Sequence, residues 1–145
     1  MKKLEQIYET VASDNIEIAE VPAESYTAYS RENEWAKMIA LNPIKLSDDK
    51  DKLIALYHEY IHLKYGLMYN ENTDKALIDK LEYKANKRMY NDIIPKKDII
   101  ELYQKGYDVS EIADELEVPL EQVMVAQFLY ENIEGYADEW FSWNT

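Results

Sequence analysis

The sequence has no cysteine among its 145 residues. This absence excludes a disulfide framework and any metal site built from thiolates. Glycine and proline are also scarce, and there is no internal repeat, low-complexity tract or long linker. No apolar run approaches the roughly 20 residues that a membrane-spanning helix needs. A chain of this length can bury a core as a single domain without covalent staples.

Basic residues are outnumbered, with 16 Lys and Arg against 29 Asp and Glu and a net charge of -13. A charge of this sign repels nucleic acid and anionic membranes and favours basic partners. The first five residues, MKKLE, run directly into charged positions and contain no apolar signal core. We therefore expect a cytoplasmic protein that does not bind membranes.

Histidine is limited to two residues, and both lie in the pentapeptide HEYIH at residues 58–62. A helix brings side chains at i and i+4 onto one face, so His58 and His62 can offer nitrogens to a single ion. Glu59 is rotated away from that pair and can accept a proton from water that the metal activates. The alternative is two ordinary histidines on a solvated helix, since the pattern also recurs by chance.

A catalytic zinc ion usually takes three protein ligands, and the chain has no third histidine. The longer pattern HExxHxxGxxH is absent, because Tyr65 and Met68 replace its Gly and its last His. A downstream carboxylate remains, and we select Glu82 because it interrupts an apolar helical stripe. That stripe consists of Ile78, Ala85, Met89 and Ile93. A core-facing carboxylate needs a compensating cation, although Glu82 could instead lie at the edge of the stripe and reach water.

Asn86 follows Glu82 by one helical turn and shares its face. Its amide could hydrogen-bond an imidazole or carboxylate that binds the metal. The alternative is a polar residue on the helix margin.

Four ordered segments carry a family pattern, namely residues 38–43 (MIALNP), 56–62 (LYHEYIH), 82–86 (EYKAN) and 93–95 (IIP). Their order and spacing resemble the ImmA/IrrE metallo-endopeptidases of bacteria, mobile elements and phages. In that family they would be a strand, the zinc helix, the Glu-x-x-Ala-Asn motif and the end of the third-ligand helix. The sequence departs from the family at Tyr60-Ile61, where Leu-Gly is usual, and at Arg88, where an aromatic residue is common.

The resemblance implies a zinc-dependent endopeptidase with Zn²⁺ held by His58, His62 and Glu82 and with Glu59 as the catalytic base. It also implies that residues 38–41 form an edge strand that holds an extended substrate by strand addition. Its substrate would be a protein, such as a DNA-binding repressor of a phage or mobile element. The oxyanion partner stays open among the tyrosines near the motif, which are Tyr57, Tyr60, Tyr65 and Tyr69.

A second hypothesis is a binding-only antirepressor. Its zinc would be structural, and its acidic surface would sequester a basic DNA-binding protein. Steep loss of repressor binding with added salt, unchanged by Glu59→Gln, would favour this hypothesis over proteolysis.

The periodicity predicts an α+β fold, mainly helical, which the resemblance identifies as zincin-like. We expect one domain over residues 1–145, with a catalytic core at 1–95 and a helical subdomain at 96–145. The pattern predicts a helix at 3–13, strands near 16–18, 26–29 and 35–41, and a turn at 32–34. A helix capped by Ser47 or Asp48 carries HExxH until Gly66, and a second helix follows Thr73 and ends before Pro95.

The remaining residues follow the apolar rhythm of a helix-turn-helix, with Ser110 as a cap and Pro119 at a helix start. After Lys105, however, there is no Lys or Arg, while ten acidic residues follow. Without cations to neutralise phosphates we expect no direct nucleic-acid binding. The tail holds Tyr136, Trp140, Phe141 and Trp143, and it could fold back onto the domain or contact a partner. The oligomeric state also stays open.

Overall fold

The computed structural model describes residues 2–137, which form six α-helices and three β-strands. The fold is therefore α+β and mainly helical, as the periodicity predicts. In chain order the elements are α1 (Lys3–Ser13), β1 (Ile16–Glu20), β2 (Ala28–Glu32), β3 (Lys37–Leu41), α2 (Asp49–Lys64), α3 (Lys75–Ile93), α4 (Lys96–Gln104), α5 (Val109–Leu116) and α6 (Leu120–Asn132). The aromatic residues Trp140, Phe141 and Trp143 lie outside the described residues.

The chain divides after Ala85 into two compact units. Unit 1 contains α1, the sheet, α2 and the first part of α3, and unit 2 contains the rest of α3 with α4, α5 and α6. The division lies inside α3, ahead of the boundary at residue 95 that the sequence suggested. Within residues 2–137, no helix is both long and apolar enough to cross a membrane.

The three strands form one mixed sheet in the spatial order β1-β3-β2. Strand β3 pairs in parallel with β1 and antiparallel with β2. The prediction that residues 38–41 form an edge strand is therefore wrong, because β3 is the central strand. Ile39, Ala40 and Leu41 are fully buried. A strand covered on both faces has a continuous apolar sequence, and this segment has one.

Strand β2 begins at Ala28, later than the predicted strand at 26–29. The backbone carbonyl of Tyr26 accepts a hydrogen bond from the side-chain amide of Asn42 at 2.8 Å. The same amide group donates to the carbonyl of Ala23 at 2.6 Å. These bonds hold Tyr26 in the preceding loop, so the strand and its following turn shift toward the C-terminus.

Helix α2 begins after Asp48, whose carboxylate accepts a hydrogen bond from the backbone N–H of Lys50 at 2.7 Å. Of the two predicted caps, Asp48 is the one that the structure uses. The helix ends at Lys64, and Gly66 follows with a φ of 66°, a left-handed conformation that favours glycine. The chain then turns back so that the N–H of Leu67 donates to the carbonyl of His62 at 2.9 Å.

The core of unit 1 lies between α1, the sheet and α2. Apolar residues at helical spacing on α1, such as Leu4, Ile7 and Tyr8, pack against it. The buried cluster itself consists of Val11, Ile16, Ile39, Leu41, Leu46, Leu56, Tyr60 and Leu63. This packing fixes α2 against β2 and β3, and so it fixes the direction in which the HExxH residues point.

Unit 2 uses its polar side chains to fix helix ends and loops. Asp108, and not the predicted Ser110, caps α5 and forms a reciprocal capping box with Glu111. Pro119 directly precedes α6, which agrees with the predicted helix start. The buried Asn91 donates to the carbonyls of Lys87 and Tyr136 at 2.9 and 3.0 Å. These contacts use both N–H donors of the Asn91 side chain.

Candidate metal centre

Three potential metal ligands meet in unit 1. His58 and His62 lie one turn apart on α2, and Glu82 approaches them from α3. The Nε2 atom of His58 is 3.1 Å from that of His62, and both nitrogens lie near Oε1 of Glu82, at 3.1 and 2.5 Å respectively. All three predicted ligands therefore form one group at metal-binding distance.

The ring of His62 is held in a defined orientation. Its Nδ1 lies 2.6 Å from the backbone carbonyl oxygen of Leu67. A carbonyl can only accept, so Nδ1 carries the proton and donates it. In the neutral ring, Nε2 then carries a lone pair directed at Glu82 and His58. This is the tautomer that a metal ligand requires, and an acceptor on the other ring nitrogen commonly fixes it.

Without a cation this arrangement places two acceptors opposite each other. The ionised carboxylate of Glu82 can only accept, and so can Nε2 of neutral His62. At 2.5 Å these atoms need either a proton or a metal ion between them. The side chain of His62 is only 5% exposed, so water can offer it few hydrogen bonds. The contact can thus be completed by a proton on His62, which then forms an ion pair with Glu82, or by a metal ion.

The pKa values of the two groups follow from this contact. Burial favours the neutral ring of His62, but hydrogen bonds to Glu82 and to the Leu67 carbonyl, with the nearby negative charges, outweigh burial and raise its pKa. Hydrogen bonds from His58 and His62 hold the pKa of Glu82 far below its ordinary value, against the opposing effect of burial. Glu82 is therefore ionised at neutral pH and available as an anionic ligand.

The distances are compatible with zinc. Tetrahedral coordination with bonds of about 2.0 to 2.1 Å separates ligand atoms by roughly 3.3 Å. Two of the three separations are 3.1 Å, and the third is contracted to the length of a hydrogen bond. A small outward movement of Glu82 would open that third separation. Two imidazoles and one carboxylate are the donor set of several catalytic zinc sites.

Tyr69 supports Glu82 from the opposite side. Its hydroxyl donates to Oε2 of Glu82 at 3.0 Å, while Oε1 faces the histidines. Burial, together with this hydrogen bond and the charges of Glu82 and Glu59, raises the pKa of Tyr69 to about 12. The phenol therefore stays protonated and keeps donating at neutral pH. Each oxygen of Glu82 has a separate role, one toward the histidines and one toward Tyr69.

Glu59 lines an open cavity of about 290 Å³ together with two of the three proposed ligands, His62 and Glu82. The lining residues are Ala28, Tyr29, Ser30, Glu59, His62, Met68, Tyr69 and Glu82. Ser30 on β2 donates a hydrogen bond to Oε1 of Glu59 at 2.9 Å. The cavity is thus bounded by an edge strand, the HExxH helix, the loop that follows it and α3.

The four tyrosines near the motif have different contacts. The buried hydroxyl of Tyr60 donates to Asp14, and Tyr57 packs against the core cluster. Lys64 lies over the ring of Tyr65, with its Nζ 5.8 Å from the ring centroid. Tyr69 is the member of this set that lines the cavity.

Asn86 is half-buried one turn beyond Glu82 on α3. Its predicted hydrogen bond to a metal ligand stays a prediction.

The sequence pattern predicts neither the contact of Ser30 with Glu59 nor the contact of Tyr69 with Glu82. Ser30 was outside the predicted strand, because the pattern ended that strand at Tyr29. The signal that could have identified it is a short polar residue two positions after Ala28, on the inward face of a strand. For Tyr69, neither the spacing nor the composition indicates which of several tyrosines reaches Glu82.

Comparison of this chain with protein-family models, with curated proteins and with solved structures finds no match in any of the three.

Proposed function

We propose that this chain is a zinc-dependent endopeptidase that cleaves a protein substrate, with a zincin-like arrangement of the ImmA/IrrE type. The observation that carries the proposal is the convergence of His58, His62 and Glu82 at metal-binding distance, with His62 and Glu82 lining the same open cavity as Glu59. The sequence spacing supports the two histidines, and the fold brings the carboxylate to them from another helix.

In this proposal His58, His62 and Glu82 hold the ion. When bound, zinc acts as a Lewis acid that polarises a peptide carbonyl and makes water a nucleophile near neutral pH. Leu67 and Tyr69 keep the ligands oriented through their hydrogen bonds to His62 and Glu82. The three-ligand set leaves a coordination position for the reacting groups, as catalytic sites require.

Glu59 is the general base. Its carboxylate accepts a proton from the attacking water and passes it to the leaving amine, so that atoms and charge balance over one turnover. Its position directly after His58 places it next to the ligands while keeping it out of the ligand set. The side chain lines the cavity, where a substrate can reach it.

Strand β2 is the substrate-binding edge in this proposal. It lies at the side of the sheet and contributes Ala28, Tyr29 and Ser30 to the cavity lining. An edge strand offers unpaired backbone groups to an extended peptide. This assignment replaces the segment at 38–41, which the structure places in the centre of the sheet.

The charge of the chain favours a basic substrate. A net charge of -13 attracts positively charged proteins and repels nucleic acid. A DNA-binding repressor of a phage or mobile element has this chemistry, and the resemblance suggests the same class. Association with such a substrate would weaken with added salt.

The test is cleavage of fluorophore-labelled histone and labelled casein by the zinc-supplemented protein. We expect histone to be cut faster than casein, and Glu59→Gln to lower the rate by about 10²- to 10⁴-fold while zinc stays bound. Glu17→Gln, at an exposed position on β1, is the matched control and should keep full activity. Full cleavage by Glu59→Gln would refute the mechanism.

A binding-only antirepressor would give a different result in the same experiment. It predicts salt-sensitive binding of the basic protein, no cleavage, and no effect of Glu59→Gln. Zinc that binds without any cleavage of either labelled protein would favour this alternative.

A further inference from the structure

We propose that Ser30 is a positioning residue that holds the carboxylate of Glu59 in the orientation needed for proton transfer. This inference rests on the proposed function, and it adds a residue outside the HExxH segment to that site. Its basis is the 2.9 Å hydrogen bond from the Ser30 hydroxyl to Oε1 of Glu59. The two residues are 29 positions apart in the sequence, so the fold alone brings them together.

The sheet register places Ser30 on the inward face of β2. Ser30 lies opposite Ile39 on β3, and Ala28 lies opposite Leu41. Directly opposed residues share a face, and Ile39 and Leu41 both belong to the buried core cluster. Ala28 packs against the same cluster. Ser30 is thus a small polar residue on a face otherwise used for apolar packing.

The hydroxyl of Ser30 has two acceptors within reach but only one proton. The sulfur of Met68 is 3.6 Å from the oxygen, whereas the Glu59 carboxylate is at 2.9 Å. A charged carboxylate is a much stronger acceptor than a thioether. The proton therefore goes to Glu59, and Met68 is an apolar neighbour of the hydroxyl.

This contact gives the two carboxylate oxygens of Glu59 different roles. Oε1 accepts from Ser30, and Oε2 is the oxygen that we assign to proton exchange with water and the leaving amine. A glutamate has three rotatable bonds, and ordering it in advance removes an entropic cost from the reaction. The proton of Ser30 goes to Glu59 and not to a proposed metal ligand, so we expect the effect of Ser30 to fall on kcat.

The kinetic test compares Ser30→Thr with Ser30→Val, using labelled histone and zinc-loaded protein. Both residues are β-branched and suit a strand, and they differ by a hydroxyl against a methyl group. We expect Ser30→Thr to retain kcat within about threefold and Ser30→Val to lose about 10- to 100-fold, with KM and zinc content unchanged. Equal kcat in the two variants would overturn the inference, as would loss of zinc in Ser30→Val alone.

A second readout does not depend on proteolysis. Urea unfolding of the zinc-free wild type, Ser30→Ala, Glu59→Ala and the double variant forms a double-mutant cycle. We expect the unfolding constant of the double variant to depart by about 3- to 10-fold from the product of the two single effects. Independent effects, agreeing within twofold, would overturn the contact.

The two readouts separate failure of this inference from failure of the proposed function. Absence of cleavage by the wild-type protein would refute the proposed function and, with it, the catalytic role of Ser30. Wild-type cleavage combined with uncoupled Ser30 and Glu59 would refute the Ser30 inference alone.

Discussion

Two buried polar groups, one in each unit, are organised in opposite ways. In unit 2, the buried Asn91 donates to two backbone carbonyls, and the hydroxyl of Tyr130 donates to the carbonyl of Ile94. In unit 1, His62 and Glu82 direct acceptor atoms at each other. The first arrangement is complete without a ligand, whereas the second is completed by a proton on His62 or by a metal ion.

This difference shows how a site can be separated from ordinary structural polarity. Burial alone does not distinguish the two regions, because His62 is 4% exposed and Asn91 is 8% exposed. Both N–H donors of Asn91 have acceptors, whereas Nε2 of neutral His62 and Oε1 of Glu82 are two acceptors in contact. Removing His62 and removing Asn91 should therefore affect metal binding and stability in different proportions.

The largest effect should come from His62→Ala. A zinc site contributes about 10 to 16 kcal/mol through its ligands together, so loss of one ligand should weaken zinc binding by on the order of 10³-fold. Competition with a chromophoric chelator at pH 7.5 measures the affinity. Zinc affinity in this variant within tenfold of wild type would mean that His62 does not bind the ion.

The next effect is a pH dependence that follows from the raised pKa of His62 and the lowered pKa of Glu82. In metal-free protein, His62 contributes stability below pH 6.5, lost as pH rises through its raised pKa. Glu82 contributes stability above pH 4.5, lost as pH falls through its lowered pKa. In metal-free protein, the His62–Glu82 pair therefore stabilises the folded state most between pH 4.5 and pH 6.5.

Zinc binding requires neutral histidines, so its stabilising effect should grow as pH rises. We expect the Tm difference between zinc-loaded and chelator-treated protein to widen steadily from pH 5.5 to pH 7.5. Differential scanning calorimetry at three pH values measures this. A difference that shrinks or stays constant over that range would argue against histidine ligation.

A smaller effect is expected from Tyr69→Phe. The variant removes the hydroxyl that donates to Oε2 of Glu82 and keeps the ring. Loss of such an outer contact typically weakens metal binding by about 10-fold or more. Tyr103→Phe is the matched control, because Tyr103 on α4 donates its hydroxyl to Gln127 in unit 2. Equal zinc affinities in the two variants would refute the supporting role of Tyr69.

The smallest effect on zinc should come from Asn91→Ala. This variant removes the hydrogen bonds to the carbonyls of Lys87 and Tyr136, and we expect a loss of about 1 to 3 kcal/mol in the free energy of unfolding. Its zinc affinity should stay within twofold of wild type. Urea unfolding and chelator competition measure the two quantities. A large loss of zinc affinity would remove the distinction between the two kinds of polar residue.

The sequence was sufficient for the local features of the site. Four-residue spacing placed His58 and His62 on one face of α2, and the interrupted stripe on α3 indicated Glu82 because a core-facing carboxylate needs a cation. The cap at Asp48 and the end of α2 before Gly66 follow from short-range chemistry that one segment contains. The fold class followed from periodicity in the same way.

Nonlocal features could not be predicted. The contact between Ser30 and Glu59 depends on the register of β2 with β3, and the carbonyl that orients His62 depends on the turn after α2. The prediction of an edge strand at 38–41 was also wrong, although a continuous apolar sequence such as this one is typical of a central strand. Such contacts depend on how separate segments pack together, which the sequence of one segment does not determine.

We propose that His58, His62 and Glu82 together bind one zinc ion. Elemental analysis of purified wild-type and Glu82→Ala protein after zinc loading and dialysis tests this binding. We expect about one zinc per wild-type chain and loss of most of it in Glu82→Ala. Wild-type protein that retains no zinc, or a Glu82→Ala variant that retains it fully, would refute the three-ligand site.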